Sequence, residues 1–152
     1  VASASAQMMM NDSITYTIAN PARMLGFVAG TYPVQSFSNG ASNSGMESSL
    51  QDMAFTKTMD QNSIAFHRAV VGSSDLNSMV IEFKVYDPGA STPYYSVKLT
   101  GGEISSFQTG ISNTDMVLYE SITIIPTIFG YKNWTHNQSF AYNIATSQFV
   151  AY

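Results

Sequence analysis

Cysteine is absent from the chain, which excludes disulfide bonds, thiolate metal sites and cysteine nucleophiles. Charged side chains are also scarce, because Asp, Glu, Lys and Arg together make up 11% of the 152 residues, against about 25% in an average domain. The six basic residues are dispersed along the sequence. Nucleic-acid binding without sequence preference needs a clustered Lys/Arg surface, so we expect no nucleic acid among the partners.

Long apolar runs and short catalytic motifs are missing as well. No apolar run reaches the roughly 18 residues of a membrane-spanning helix, and the sequence contains no G-x-S-x-G, G-x-G-x-x-G or P-loop motif. The two histidines, His67 and His136, are each expected to be surface or half-buried residues. The serines are so numerous that a Ser-His-Asp arrangement stays open, although no spacing favours one. We therefore expect no enzyme, no cofactor and no metal site.

Apolar residues make up 45% of the chain, enough for one domain with its own core. The surface must be mostly uncharged, since the sequence holds 21 Ser, 13 Thr and 10 Asn. The chain opens on Val1-Ala2-Ser3-Ala4-Ser5-Ala6, which is either a mature end left by a signal peptidase or a trimmed terminus. Low charge favours export, so the chain is expected to be secreted.

Hydrophobic periodicity predicts an all-β fold. Met79, Ile81, Phe83 and Val85 alternate with polar or outward residues, as in a strand with one buried face. Short strands of this kind recur at intervals typical of a small antiparallel β-barrel or sandwich. A single flanking α-helix is predicted at about residues 61–72, after a group of capping residues and before Gly72.

Two segments indicate contacts with other copies. Residues 38–49 contain almost nothing apolar and are predicted to form a long exposed loop, which in a compact domain is usually functional. Residues 116–132 are mostly β-prone, and the second half of this run is apolar on both sides, with Pro126 suggesting an edge strand or a bulge. Ile125, Phe129 and Tyr131 share its second face, which an oligomer would bury.

Three blocks of the sequence, at residues 50–60, at 94–99 with 104–110, and at 120–124, share residue types, spacing and chain order with one known family. They resemble the haemolysin-coregulated protein (Hcp) family, the tube subunit of type VI secretion systems. The first resembles the family's run of Val/Leu-x-Asp-Leu/Phe-x-Phe/Ile-Thr-Lys followed by an Asp and a helix. The second and third resemble its Tyr-x-x-Ile-x-Leu strand with a Val-Ser-Ser continuation, and its Glu-x-Val-Ser-Leu/Phe strand entry. In this chain they read Leu50-Gln51-Asp52-Met53-Ala54-Phe55-Thr56-Lys57-Thr58-Met59-Asp60, then Tyr94-Tyr95-Ser96-Val97-Lys98-Leu99 with Ile104-Ser105-Ser106-Phe107-Gln108-Thr109-Gly110, and Glu120-Ser121-Ile122-Thr123-Ile124.

The resemblance implies a ring, usually hexameric, that stacks on other rings into a hollow tube. It implies no catalysis, and it names copies of the chain as partners, with effector or sheath proteins as further ones. The polar loop matches the loop that reaches the neighbouring ring, and Ile125, Phe129 and Tyr131 match what a contact within the ring requires. The ring-stacking candidates are Asn39, Gly40, Asn43, Gly45, Met46 and Glu47.

The chain departs from the family pattern at both ends and in its low charge. We expect an N-terminal arm at 1–12, an Hcp-like domain at 13–146 and an apolar tail at 147–152. These departures favour an exported relative that polymerises outside the cell, in which one of the two ends adds a strand to a neighbour. The alternative location is the cytoplasm before injection. The alternative function is a secreted β-sandwich or barrel that binds a glycan or a protein ligand, with an exposed aromatic cluster around Tyr131 and Trp134.

Overall fold

The structure is a computed structural model that describes residues 13–39, 41–44, 47–50 and 53–152, with the backbone alone for 41–44 and 47–50. The predicted arm at 1–12 therefore lies outside the described residues. Within these described ranges, a short 3-10 turn at Arg23–Leu25 and one α-helix, α1 (Ser63–Val71), accompany thirteen strands. The strands are β1 (Ile14–Ala19), β2 (Gly30–Pro33), β3 (Ser36–Ser38), β4 (Ala41–Ser44), β5 (Glu47–Leu50), β6 (Met53–Thr58), β7 (Val80–Val85), β8 (Tyr95–Thr100), β9 (Glu103–Ile111), β10 (Leu118–Ile125), β11 (Ile128–Asn133), β12 (Gln138–Asn143) and β13 (Gln148–Val150).

The strands pair into one wide and one narrow antiparallel sheet. The wide sheet has seven strands in the order β13-β12-β11-β8-β7-β1-β2, and the narrow sheet has four in the order β3-β6-β10-β9. β4 and β5 form a separate two-stranded ribbon. The all-β class with one helix is confirmed, but the predicted barrel is not closed: in the described part of the chain, no strand pairing joins the wide sheet to the narrow one.

The core lies between the two sheets and α1. Alternating residues of β1, β7 and β8 face inward, among them Tyr16 and Phe83, which are both 0% exposed. From the narrow sheet, Phe55 packs against Phe83, and the two rings meet edge-on with 4.9 Å between their centroids. Helix α1 buries Phe66 and its two alanines on the same core. Period-two alternation in strands thus produced the expected inward face.

A buried polar network fixes the start of α1 to the sheets. The Lys57 ammonium, 0% exposed, donates to Glu120 Oε1 at 2.5 Å and lies 3.0 Å from Asp60 Oδ1. The Tyr16 hydroxyl donates to Asp60 Oδ2 at 2.5 Å, and the Ser63 hydroxyl donates to Glu120 at 2.9 Å. Burial, with the Asp60 carboxylate beside it, raises the pKa of the Tyr16 phenol. The network joins β1, β6 and β10 to the first turn of α1.

Two segments differ from their predicted structure. Residues 25–29 have the apolar composition that predicts a short strand. They contain instead the end of the 3-10 turn and an irregular segment, because Gly26 adopts the left-handed φ of 100° that ends the turn. Residues 116–132 form two strands in different sheets, since the chain leaves β10 of the narrow sheet at Pro126 and enters β11 of the wide one. Proline has no N–H for a sheet hydrogen bond, which places the crossing there.

Candidate assembly surfaces

The wide sheet extends beyond the narrow sheet and leaves part of its core face uncovered. Tyr131 of β11 lies opposite core residue Val97 on one side and Phe140 of β12 on the other, so all three lie on one face. Tyr142 and Phe149 are likewise opposite each other on β12 and β13. We call Tyr131, Phe140, Tyr142 and Phe149 the aromatic stripe.

The aromatic stripe is held by contacts among its own rings and is partly open to solvent. The Tyr131 and Phe140 rings stack at 6.3 Å with 11° between planes, and Phe149 meets Tyr142 edge-on at 5.1 Å. Tyr131 is 36% exposed, Phe140 43% and Phe149 75%. Aromatic groups are enriched where protein interfaces become fully buried. An exposed aromatic face that continues a core therefore indicates a docking surface.

The three residues expected to share an interface lie in different surroundings. Phe129 is only 6% exposed and belongs to the subunit's own core. Ile125, 46% exposed, ends β10 and lines a cleft of about 290 Å³ with Pro126 and Ile144. Tyr131 alone belongs to the aromatic stripe. The shared face was inferred from a single continuous strand, whereas the chain changes sheets between Ile125 and Phe129.

The described part of the predicted loop at 38–49 contains the two-stranded ribbon of β4 and β5. β4 and β5 pair antiparallel, with Asn43 opposite Ser48 and Glu47 opposite Ser44. Asn39 lies at the base of this ribbon and donates its Nδ2 to the Tyr95 hydroxyl at 3.0 Å. The predicted residues Gly40, Gly45 and Met46 lie outside the described residues. Serine and asparagine pairs across short strands were the signal that the sequence interpretation missed.

Lys57, Asp60 and Glu120 of the buried network are a cluster of titratable groups in the described ranges, and they join the sheets to the start of α1. No group of three or more His, Asp or Glu residues there could hold a metal ion. His67 stacks on Phe107 at 5.0 Å between ring centroids. His136 lines a cleft of about 340 Å³ with Tyr94, Tyr95 and Tyr131, where burial raises the pKa of the Tyr95 phenol. The two predicted surface histidines are thus in separate aromatic surroundings.

The predicted tail at 147–152 packs on its own subunit. Gln148–Val150 pairs with β12 as the edge strand β13. The Tyr152 side chain then turns back over the outer face of the wide sheet, where its hydroxyl lies 2.6 Å from Ser96 Oγ and donates to Glu82 Oε2 at 2.7 Å. Burial raises the pKa of the Tyr152 phenol. A strand-adding segment is therefore present, and it occupies an edge of its own sheet.

Comparison with protein families decides the class of this architecture. A sequence profile described as "Type VI secretion system effector, Hcp" matches residues 28–149. The chain belongs to the Hcp family. The resemblance seen in the three sequence blocks is confirmed, and the family is one of structural proteins whose rings stack into type VI secretion tubes.

Solved Hcp structures share the fold at low sequence identity. Hcp1 from E. coli EAEC 042 is 13% identical with a TM-score of 0.71, covering 87% of this chain and 99% of its own. Hcp1 from Salmonella typhimurium is 10% identical with a TM-score of 0.68, covering 90% and 99%. The secreted protein Hcp3 from Pseudomonas aeruginosa is 13% identical with a TM-score of 0.64, covering 86% and 98%.

A more distant assembly also contains this fold. The baseplate of the anti-feeding prophage is 9% identical with a TM-score of 0.55, covering 82% of this chain and 95% of the matched one. A comparison with curated protein sequences finds no match. Within the described ranges, no helix is long and apolar enough to cross a membrane.

Proposed function

We propose that this Hcp-family chain builds hexameric rings through its aromatic stripe and stacks them into a hollow tube through the β4–β5 ribbon. The observation that carries the proposal is the exposure of Tyr131, Phe140 and Phe149 on a face that is core elsewhere in the same sheet. A neighbouring subunit that packs on the aromatic stripe would bury it, as the narrow sheet buries the same face of β7 and β8. The role is structural, and we propose no catalytic residue.

The ribbon supports the stacking contact by its shape. A two-stranded ribbon is marginally stable alone in water, so contact with a neighbouring ring would stabilise it. Its residues are mostly Ser and Asn, which suit a hydrogen-bonded contact better than an apolar one. Asn43, Glu47 and Asn39 at its base are the described candidates for that contact, alongside Gly40, Gly45 and Met46.

We further propose that the tube acts outside the cell, as a secreted polymer or an injected tube. An uncharged hydroxyl- and amide-rich surface fits the first case. Effector or sheath proteins are the additional partners in the second. The two cases differ in whether purified subunits elongate without other components.

Electron microscopy and sedimentation of the purified chain test the proposal. The wild type is expected to form rings or hollow tubes. The double variant Tyr131→Ser/Phe140→Ser should remain monomeric and folded. Its unfolding midpoint should fall somewhat, because the two side chains are 36% and 43% exposed and pack their remaining surface on neighbouring rings of the monomer. Val71→Ser is the matched control, since Val71 is 76% exposed on α1, away from the aromatic stripe.

The outcomes separate the parts of the proposal. Long tubes formed spontaneously would support an extracellular polymer, and isolated rings an injected tube. Rings that persist in the double variant would move the ring contact to another surface. A wild-type monomer at high concentration would overturn the assembly function.

A further inference from the structure

Residues 148–152 form a strap that crosses the wide sheet from its edge to its outer face. β13 first extends the sheet beside β12. The Tyr152 ring then reaches back over β11 to β8 and β7, where Ser96, Lys98 and Glu82 contact it. The strap is thus held at two places, by strand pairing at the edge and by one side chain on the face.

The outer face contains a socket that fits Tyr152. Glu82, Lys98, Gly130 and Ala141 lie opposite one another in a row across four strands, and the two small residues leave a gap for the ring. A Cβ on Gly130 would lie 2.9 Å from that ring. Lys98 Nζ donates to the Tyr152 carbonyl oxygen at 2.8 Å and lies 4.3 Å from the ring centroid.

The strap buries little apart from Tyr152. All three residues of β13 are exposed, Phe149 at 75% and Val150 at 39%. Segments with few buried contacts open at a small fraction of the cost of global unfolding. The strap can therefore leave the socket while the remainder of the domain stays folded.

The turn before the strap is strained relative to a matching turn nearby. Both turns follow an Asn whose Oδ1 accepts the backbone N–H three residues on: Asn133 from His136 and Asn143 from Thr146. Both end in the left-handed region, at Asn137 with φ 51° and Ser147 with φ 56°. Asparagine tolerates this conformation and serine does so less readily. The turn that ends at Ser147 is therefore the more strained of the two, and it would lose that strain if the backbone became extended.

We propose that the strap exchanges between copies of this chain during assembly, so that Tyr152 of one subunit fills the socket of the next. This inference rests on the proposed assembly function. Strained connecting turns favour domain swapping, and swapping keeps every contact made within the subunit. In the exchanged form the backbone at Ser147 is extended, so its strain is removed and the exchanged form is favoured by that amount.

A second copy is the occupant that the vacated surface fits. Release of the strap leaves the β12 edge unpaired, and an unpaired edge recruits another strand. The socket then presents Ser96 and Glu82 to a hydroxyl and Lys98 to a carbonyl oxygen. Another copy supplies a strand and a tyrosine with the same spacing.

Engineered cysteines distinguish a strap within one subunit from an exchanged strap. Ala141 and Val150 are directly opposite on β12 and β13, outside the aromatic stripe, and the chain has no other cysteine. The variant Ala141→Cys/Val150→Cys is oxidised after assembly and run on a denaturing gel without reductant. We expect covalent chains of many subunits from tubes and intramolecular bonds from dilute monomer, and each single-cysteine variant controls for random cross-links.

Position 147 supplies a matched pair of variants in that background. Ser147→Asn relieves the strain without opening the turn, and should lower the inter-chain fraction about fivefold. Ser147→Pro cannot adopt a positive φ and should leave inter-chain bonds only. Tubes with solely intramolecular bonds in all three backgrounds would overturn strap exchange and leave the assembly function standing. Failure to form any ring or tube would overturn both.

Discussion

The two halves of the wide sheet share one sequence pattern and differ in what covers them. On β1 and β7 the alternating face includes Ile18 and Ile81, which are 2% and 1% exposed in the core. On β12 and β13 the corresponding face carries Phe140 and Phe149 at 43% and 75%. Four strands cannot cover seven, so the same apolar alternation makes a core at one end and a free surface at the other.

The lysines of the two regions also differ in burial. Lys57 is fully buried between Glu120 and Asp60, whereas Lys98 holds the strap from a half-buried position. A buried charge depends on its partner because water cannot replace it. A partly solvated charge loses little when its partner leaves.

The largest expected effect separates the covered and uncovered faces directly. Phe83→Ala should lower the free energy of unfolding by about 3–5 kcal/mol through lost burial and a cavity. Phe149→Ala should change the monomer by at most about 0.5 kcal/mol. Urea unfolding of the two variants measures this contrast, and similar losses would mean that the aromatic stripe is core in solution too.

The second effect compares the two lysines. Lys57→Met should cost about 3–5 kcal/mol, because Glu120 is left buried without its cation. Lys98→Met should cost about 1 kcal/mol or less. Lys57→Met/Glu120→Leu is the control, since removal of both charges should restore much of the loss. If the double variant is no more stable than the single one, packing rather than charge controls this site.

The smallest expected effect is the pH dependence of stability that Tyr16 contributes in the covered half of the wide sheet. Tyr16 has a raised pKa in the fold, so its contribution is complete below the unfolded tyrosine value of 10.0 and declines as pH rises above it. Tyr16→Phe should cost about 1.5–3 kcal/mol at pH 7, as expected for a hydrogen bond to a charged group. It should also flatten the loss of stability above pH 10.

Tyr152→Phe is the comparison for that experiment. Its pKa is raised as well, but the strap opens locally, so the global unfolding curve should change less than for Tyr16→Phe. An unchanged alkaline slope in Tyr16→Phe would show that the phenol is not the group that titrates.

Local pattern predicted much of the fold. The helix expected at 61–72 is α1, because Gly72 and the polar residues before Ser63 mark its ends. The inward face of β7, with Ile81 and Phe83 buried, followed from period two. The ribbon at 41–50 was missed because its strands carry no apolar alternation, which is the signal that periodicity reads.

The surfaces were harder to predict than the elements. The sequence predicted an exposed face that includes Tyr131. It did not predict that Phe140 and Phe149 lie on the same face, because only the pairing of β11, β12 and β13 brings them beside Tyr131. Phe129 was expected outside and lies in the core. The chain changes sheets at Pro126, so residues four apart in sequence no longer share surroundings.

The sequence by itself determined the family, the all-β class, the helix near residues 61–72 and the absence of any cysteine chemistry. These features depend on composition, motif order and local periodicity, which are properties of residues close together in the sequence. Only the tertiary structure decided which apolar faces are covered, where Tyr152 docks and which lysine is buried. Each of these depends on sheet width and on pairing between strands far apart in the chain, and no local pattern contains that information.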